Sequence, residues 1–476
     1  MSDCFAITRQ GQLRGTSVAD GVLVWKGIRF ASPPTGPHRF ALPHPPETWS
    51  GIRDALAYGH SALQASHRPG ETVDNQDEDC LFLNVWSPST RGRYPVIVWI
   101  HGGAFIAGTG ANPVYDGTHY VERDCVLVTI NYRLGAFGCL YQPDRPASGN
   151  LRLADQMAAL SWVQDNIAGF GGDPTNVTVM GESAGAMSIG PLLGIPGARR
   201  LFRRAILASG GPRPVHTGAF AAQTTAAVMR TLGLRDTAGL MNVSSADLLQ
   251  ASAQAAADRN LLEPFPHVID GELLTEHPLA TVDGTVDMLI GTCNAEADPF
   301  LSNPTDAARF ESLTRTAVGE QTWSALLQTY HDNPVAGHWP VNDVLSGWFA
   351  VMPSVWLAER AQRAGARVWQ YTFDYPGAGR VGAVHGSDVP FMFGTLQAEQ
   401  LDDPSEARIL SSKMLAAFAN FASTGDPWIP ELPSWPSFTP ERRTCLSFDT
   451  QPDIFEDRLP EARREAWAAA DPYLVC

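Results

Sequence analysis

A β-branched run, Val177 to Val179, passes straight into Gly181, Glu182, Ser183, Ala184 and Gly185, followed by the helix-compatible Ala186, Met187, Ser188 and Ile189. Strand, then G-x-S-x-G, then helix has a mechanical meaning. A serine on a sharp strand-to-helix turn sits in strained backbone, and small residues two before and two after it let the chain turn that tightly. The Ser183 hydroxyl then projects from the carboxyl end of a sheet. The Ala184 amide points at whatever oxyanion forms when that hydroxyl attacks a carbonyl. Ser183 is the candidate nucleophile. It needs a base within hydrogen-bond reach, an anionic group to orient that base, and further oxyanion donors.

The continuous apolar run Tyr94 to Ile100 reads as a strand buried on both faces and ends in His101, Gly102, Gly103, Ala104 and Phe105. A Gly-rich turn there exposes consecutive backbone N–H groups that can complete an oxyanion hole. In sheets of this kind the chain order is nucleophile, acid, histidine. His385 follows the strand-like Val368 to Phe373 and lies after every acid candidate, so it is the expected base. His101 precedes the serine and reads as support for the oxyanion turn. Asp270, Glu296 and Asp298 compete as the acid, the latter pair following a strand-like run from Asp287 to Thr292. Residue type and position leave Glu296 and Asp298 even. Asp388 is too near His385 to come from a separate strand and reads as a loop-stabilising group.

The elements that must position these groups alternate. Cys125 to Asn131 and Arg204 to Ser209 are further apolar strands, and Leu153, Met157, Leu160, Val163 and Ile167 give the segment 153–168 a helical stripe. This β-α-β rhythm predicts an α/β fold, a mostly parallel sheet flanked by helices. Leu13 to Thr16 and Val22 to Trp25 form an N-terminal hairpin, the prolines that follow to Trp49 forbid helix, and 61–79 reads as a polar surface loop. From about 214 to 350 Ala-rich helical segments, 220–232 and 245–258 with Ser244 or Ser245 as N-cap, suggest a helical cap. Val368 to Phe373 is the final expected strand, followed by a helix over 406–423. No repeat or linker divides the chain, so 1–476 reads as one catalytic domain containing the cap.

The chain has 476 residues, 44% of them hydrophobic, enough for a large core. Its 34 basic against 50 acidic residues give a formal charge of −16, which disfavours nucleic acid and anionic membrane surfaces. No apolar run is long enough to span a membrane, and the start lacks a basic segment followed by an apolar one, so a cytoplasmic protein is expected. Seven scattered cysteines without a C-x-x-C pair fit reduced thiols, with no metal site and no organic cofactor. The expected partner is a small-molecule substrate; oligomeric state is not readable.

At the level of whole segments the chain resembles the type-B carboxylesterases, the cholinesterase-like and para-nitrobenzyl-esterase-like branch of the α/β-hydrolases. The likeness runs from Gly27 to Pro34, Glu78 to Val85, Trp99 to Phe105, Asn131 to Gly138 and Phe170 to Gly185, then through Gly291 to Phe300, His385 to Asp388 and Phe421 to Pro427. It implies an α/β-hydrolase fold with cap insertions and a Ser183, His385, Glu296 triad, the family glutamate falling on Glu296. It also implies Gly103, Ala104 and Ala184 as oxyanion donors, and Glu182 and Phe105 as pocket-lining residues. The implied activity is hydrolysis of small to medium esters through an acyl-enzyme, with amide or carbamate cleavage, or a non-catalytic binding module, as alternatives.

Departures from the pattern are informative. Ala297 and Arg152 stand where the family often has glycine. Residues 61–64 stand where a secreted relative would place the disulfide partner of Cys80, and no cysteine is there. Residues 61–77 hold no Phe, Tyr or Trp, which disfavours choline esters, since a quaternary ammonium needs an aromatic face. Trp323, Trp339, Trp348 and Phe349 line an acyl or alcohol site or belong to the core, and core is the expectation for any one of them.

Overall fold

The computed structural model describes residues 2–18, 21–65, 73–259, 265–334, 337–397, 401, 403–457 and 459–474. Part of the expected 61–79 loop, residues 66–72, and Cys476 lie outside the described residues.

The N-terminal strands are β1 (Ser2–Ile7), β2 (Gln12–Ser17), β3 (Leu23–Arg29), β4 (Ile52–Asp54), β5 (Ser61–Ala62) and β6 (Gln76–Asp77). The central strands are β7 (Phe82–Ser87), β8 (Tyr94–Ile100), β9 (Val126–Ile130), β10 (Gly172–Glu182) and β11 (Arg204–Ala208). After β12 (Val215–Thr217) and β13 (His267–Ile269) come β14 (Asp287–Cys293), β15 (Val368–Phe373), β16 (Cys445–Phe448) and β17 (Asp453–Phe455). Thirteen of these form one sheet in the order β1-β2-β3-β7-β9-β8-β10-β11-β14-β15-β16-β17, with β4 beside β2. Pairing is parallel from β9 through β16 and, apart from the parallel β2–β4 contact, antiparallel toward both edges.

The apolar runs form the middle strands because alternate side chains of an extended chain point to opposite faces, and both faces are covered. In β8, Val96, Val98 and Ile100 enter one core, and Ile97 and Trp99 enter the other. The helix Leu151–Asn166 closes the first with Leu153, Leu160 and Val163; the helix Pro404–Thr424 closes the second with Leu410, Met414, Phe418 and Phe421. Each such side chain withdrawn from water contributes about 1.5–3 kcal/mol.

The N-terminal hairpin forms as expected, β2 pairing antiparallel with β3. The helices expected for the cap lie over Gly218–Thr231 and Ser245–Asp258, and Ser244 is the N-cap of the second, its hydroxyl accepting from Asp247 N at 3.1 Å. Further helices over Pro304–Val318, Glu320–Asp332 and Pro340–Ser346 lead into a π-helical turn, Gly347–Val351. One expectation is corrected: β15 is not the final strand. Residues 445–448 add the parallel β16, and 453–455 the antiparallel β17. These segments are too short to show a period of their own, and the edge left open by β15 recruits them. The short parallel pair β12–β13 was likewise not anticipated.

Candidate active site

Ser183 stands between β10 and the helix Ala184–Gly194, at φ +54° and ψ −125°. A non-glycine residue there is strained by roughly 1–3 kcal/mol. Two contacts hold it: its N–H donates to the Ala208 carbonyl of β11 at 3.0 Å, and its carbonyl accepts from Met187 N at 2.8 Å. Gly185 is required by close approach, since a Cβ there would collide with the Ile100 carbonyl at the end of β8.

The histidine and the acid arrive on loops tied to each other. Ala295 and Val384 form an isolated parallel bridge, and Ala383 N donates to Asn294 Oδ1 at 2.8 Å. This brings His385 Nε2 to 2.8 Å from Ser183 Oγ and His385 Nδ1 to 2.6 Å from Glu296 Oε2. The other Glu296 oxygen accepts from Cys293 N at 2.7 Å, and the carboxylate has no exposed surface. The rival acids are occupied elsewhere. Asp270 Oδ1 accepts from Glu272, Leu273 and Leu274 N–H groups. Asp298 Oδ1 accepts from Asn342.

On the β8 side, Gly103 (φ +113°), Ala104 (φ +52°) and Phe105 (φ +63°) have positive φ, and Gly103 and Ala104 line the same cavity as Ser183. Among the described residues no acceptor takes the N–H of Gly103, Ala104 or Ala184. His101 lies under this turn: its Nδ1 is 2.8 Å from the Gly102 carbonyl, its ring stacks on Tyr132 at 4.4 Å, and burial pushes its pKa down to about 4.

Charge gathers around His385. Its Nε2 lies 3.3 Å from Glu182 Oε1 as well as facing Ser183. Burial alone depresses the imidazole pKa, but the Glu182 charge, then the Glu296 hydrogen bond and charge, outweigh it and raise the value to about 9. Asp388 is pushed up to about 8, by burial and then by Glu182 and Glu296. Asp388 stands at the N-cap of the short helix Val389–Phe393, with no side-chain cap hydrogen bond. Its carboxyl is buried, with Oδ2 3.4 Å from the Tyr371 hydroxyl.

These groups open onto a cavity of about 950 Å³. Glu182 lines it, as expected, but Phe105 does not. Phe105 is wholly buried against Ala184 and Met187, because the positive φ at 104 and 105 turns its ring inward. Of the four cap aromatics, Trp348 and Phe349 line the cavity, Trp323 is core and Trp339 is 74% exposed. Phe300 and Phe310 complete that wall, Phe300 and Phe349 lying 5.7 and 5.0 Å from the His385 ring. Phe300 and Phe310 were not expected there. Phe300, close after Glu296, carried a positional signal; Phe310, in a helix, carried none.

A sequence profile described as the Carboxylesterase family matches residues 3–467. Para-nitrobenzyl esterase of Bacillus subtilis is 37% identical over 98% of this chain and 99% of its own length. Acetylcholinesterase of Bungarus fasciatus is 32% identical over 94% of this chain and 82% of its own length, and phenmedipham hydrolase of Pseudarthrobacter oxydans 35% over 91% and 92%. Among solved structures, a Geobacillus stearothermophilus carboxylesterase superposes with a TM-score of 0.87 at 33% identity, covering 98% of this chain and all of that one. A nucleophile elbow on a mostly parallel sheet, and kinship along nearly the whole length, lead to one conclusion: the chain belongs to the carboxylesterase family, α/β-hydrolase-fold enzymes that hydrolyse carboxylic esters through a serine.

Proposed function

We propose that Ser183 is the nucleophile, His385 the general base and acid, and Glu296 the group that fixes the imidazole tautomer. The observation that carries this reading is the unbroken chain Ser183 Oγ, His385, Glu296, with contacts of 2.8 and 2.6 Å. Ser183 Oγ attacks the ester carbonyl as His385 Nε2 takes its proton; the same proton then leaves with the alcohol, and water repeats the sequence to release the acid. The N–H groups of Gly103, Ala104 and Ala184 receive the oxyanion, each donor contributing on the order of 3 kcal/mol. No metal or organic cofactor enters these steps.

The substrate class is small to medium esters. A cavity of about 950 Å³ is at the upper end of the range for such ligands, and its aromatic side suits an apolar acyl or alcohol group. The chain acts as one catalytic domain, with 214–350 as its cap, and buried free thiols at Cys80, Cys125 and Cys139 fit a cytoplasmic setting.

Turnover of p-nitrophenyl acetate and butyrate, compared with matched anilides, tests this. The wild type should prefer the esters, and Ser183→Ala should lose on the order of 10⁴-fold or more in kcat. Equal activity of wild type and variant would refute the assignment.

A further inference from the structure

The helix beginning at Ala184 contains Pro191. Proline has no N–H, and its ring crowds the carbonyl four residues back. The Met187 carbonyl, in the first turn after the nucleophile, therefore lacks the helical donor that residue 191 would supply. His267, at the start of β13, takes that place, its Nε2 lying 3.1 Å from the Met187 oxygen. A carbonyl only accepts, so the imidazole carries its proton on Nε2 and leaves Nδ1 as an acceptor. Arg152 Nη2 meets Nδ1 at 2.9 Å, and a guanidinium only donates. The tautomer is set from both sides.

Arg152 sits in the first turn of the helix Leu151–Asn166 and has no exposed surface. Its Nη1 donates to the Phe265 carbonyl at 2.9 Å and to the Cys139 thiol. Its guanidinium carbon lies 4.1 Å from the centre of the Phe105 ring, and that ring meets His267 edge-on at 5.1 Å. Phe105 is the residue after Ala104 in the oxyanion turn, and it packs on Ala184 and Met187. One guanidinium thus touches the anchor of the 103–105 turn and, through His267, the first turn of the nucleophile helix. These backbone segments carry the amides of Gly103, Ala104 and Ala184. Burying a cation among a ring, a thiol, a carbonyl and an imidazole is costly to hydration and a poor way to gain stability alone.

We propose that Arg152 and His267 are positioning residues that brace both sides of the oxyanion hole, His267 replacing the hydrogen bond that Pro191 removes. The inference rests on the serine-hydrolase reading of Ser183. Neither residue lines the cavity, so their loss leaves substrate binding intact and falls on the transition state.

The test uses the full chain carrying Arg152→Met or His267→Phe, with kcat and KM on p-nitrophenyl butyrate and the Ki of a trifluoromethyl ketone. Ser183 Oγ bonds to that ketone carbon, its proton passes to His385, and the resulting oxyanion occupies the hole. Each variant should lose roughly 10-fold or more in kcat, with KM within about twofold and the ketone weakened in parallel. Pro191→Ala restores an N–H at 191, so the kcat cost of His267→Phe should be several-fold smaller in that background. Folded variants with wild-type kcat and ketone affinity, or a His267→Phe cost identical with and without Pro191, would overturn the proposal. Should Arg152→Met fail to fold, the Pro191 and His267 cycle decides alone. Wild-type inactivity, or no phosphonate label on Ser183, would instead strike the serine-hydrolase reading.

Discussion

The floor and the aromatic wall of the cavity are built by different means. Ser183, His385 and Glu296 sit where β10, β14 and the loop bridged to residue 295 leave the sheet, and backbone hydrogen bonds register each one. Phe310, Trp348 and Phe349 come from cap helices that pack in a satellite core beside Trp323 and Leu326, apart from the cores on the sheet's two faces. The floor has one geometry, fixed by strand register; the wall has whatever shape its helices leave. Changes on the floor should strike kcat with KM intact, and changes on the wall should redistribute KM with kcat intact.

The largest effect that sharpens this contrast is Glu296→Gln. The amide leaves the shape but no longer favours the required tautomer or the imidazolium, so kcat should fall on the order of 10⁴-fold. Asp298→Asn, two residues on and hydrogen-bonded to Asn342 instead, should stay near wild type. Comparable losses in both would dissolve the assignment of the acid.

A smaller floor effect concerns pH. As the proposed base, His385 must be neutral in the free enzyme, and the carboxylates around it raise its pKa to about 9, so kcat/KM should climb with pH through a midpoint above 6.5. Glu182 is the largest contributor to the rise. Removing its negative charge destabilises the imidazolium, so Glu182→Gln should move the ascending limb to lower pH. A limb unmoved or shifted upward in the pH–rate profile contradicts the electrostatic picture.

Wall effects are weaker. Trp348→Ala should raise KM for long-chain esters about 10-fold, by 1–3 kcal/mol of lost pocket contact, and spare acetate esters. Trp339→Ala, at an exposed position, should change Tm and activity little. A graded acyl-length panel reads both, and a kcat loss with Trp348→Ala would erase the division between floor and wall.

Legibility in the sequence follows the same division. The sharp turn at Ser183 and the approach of His385 to it were readable because such a turn needs local residues at fixed spacing, and because chain order places the histidine last. The central strands were readable because burial on both faces demands unbroken apolar runs. By contrast, β16 and β17 form only because a neighbour offers an open edge, so no pattern of their own announces them. Asp388, read as a loop group, became part of the acidic surroundings of His385 through a fold-level approach to Glu182.

Residue chemistry by itself pointed to a nucleophilic serine, with a serine on a strand-helix turn, a histidine downstream and a Gly-rich donor turn, and the longer family-like segments added ester hydrolysis. Choosing Glu296 over Asp270 and Asp298 from the residues alone was impossible, since a carboxylate is the same group wherever it stands. The Ala295 to Val384 bridge supports the proposed choice by placing the Glu296 carboxylate against His385 Nδ1. Tertiary structure alone also sent the Phe105 ring inward onto Arg152 and away from the cavity, because the sign of φ at 104 and 105 is imposed by the packed turn.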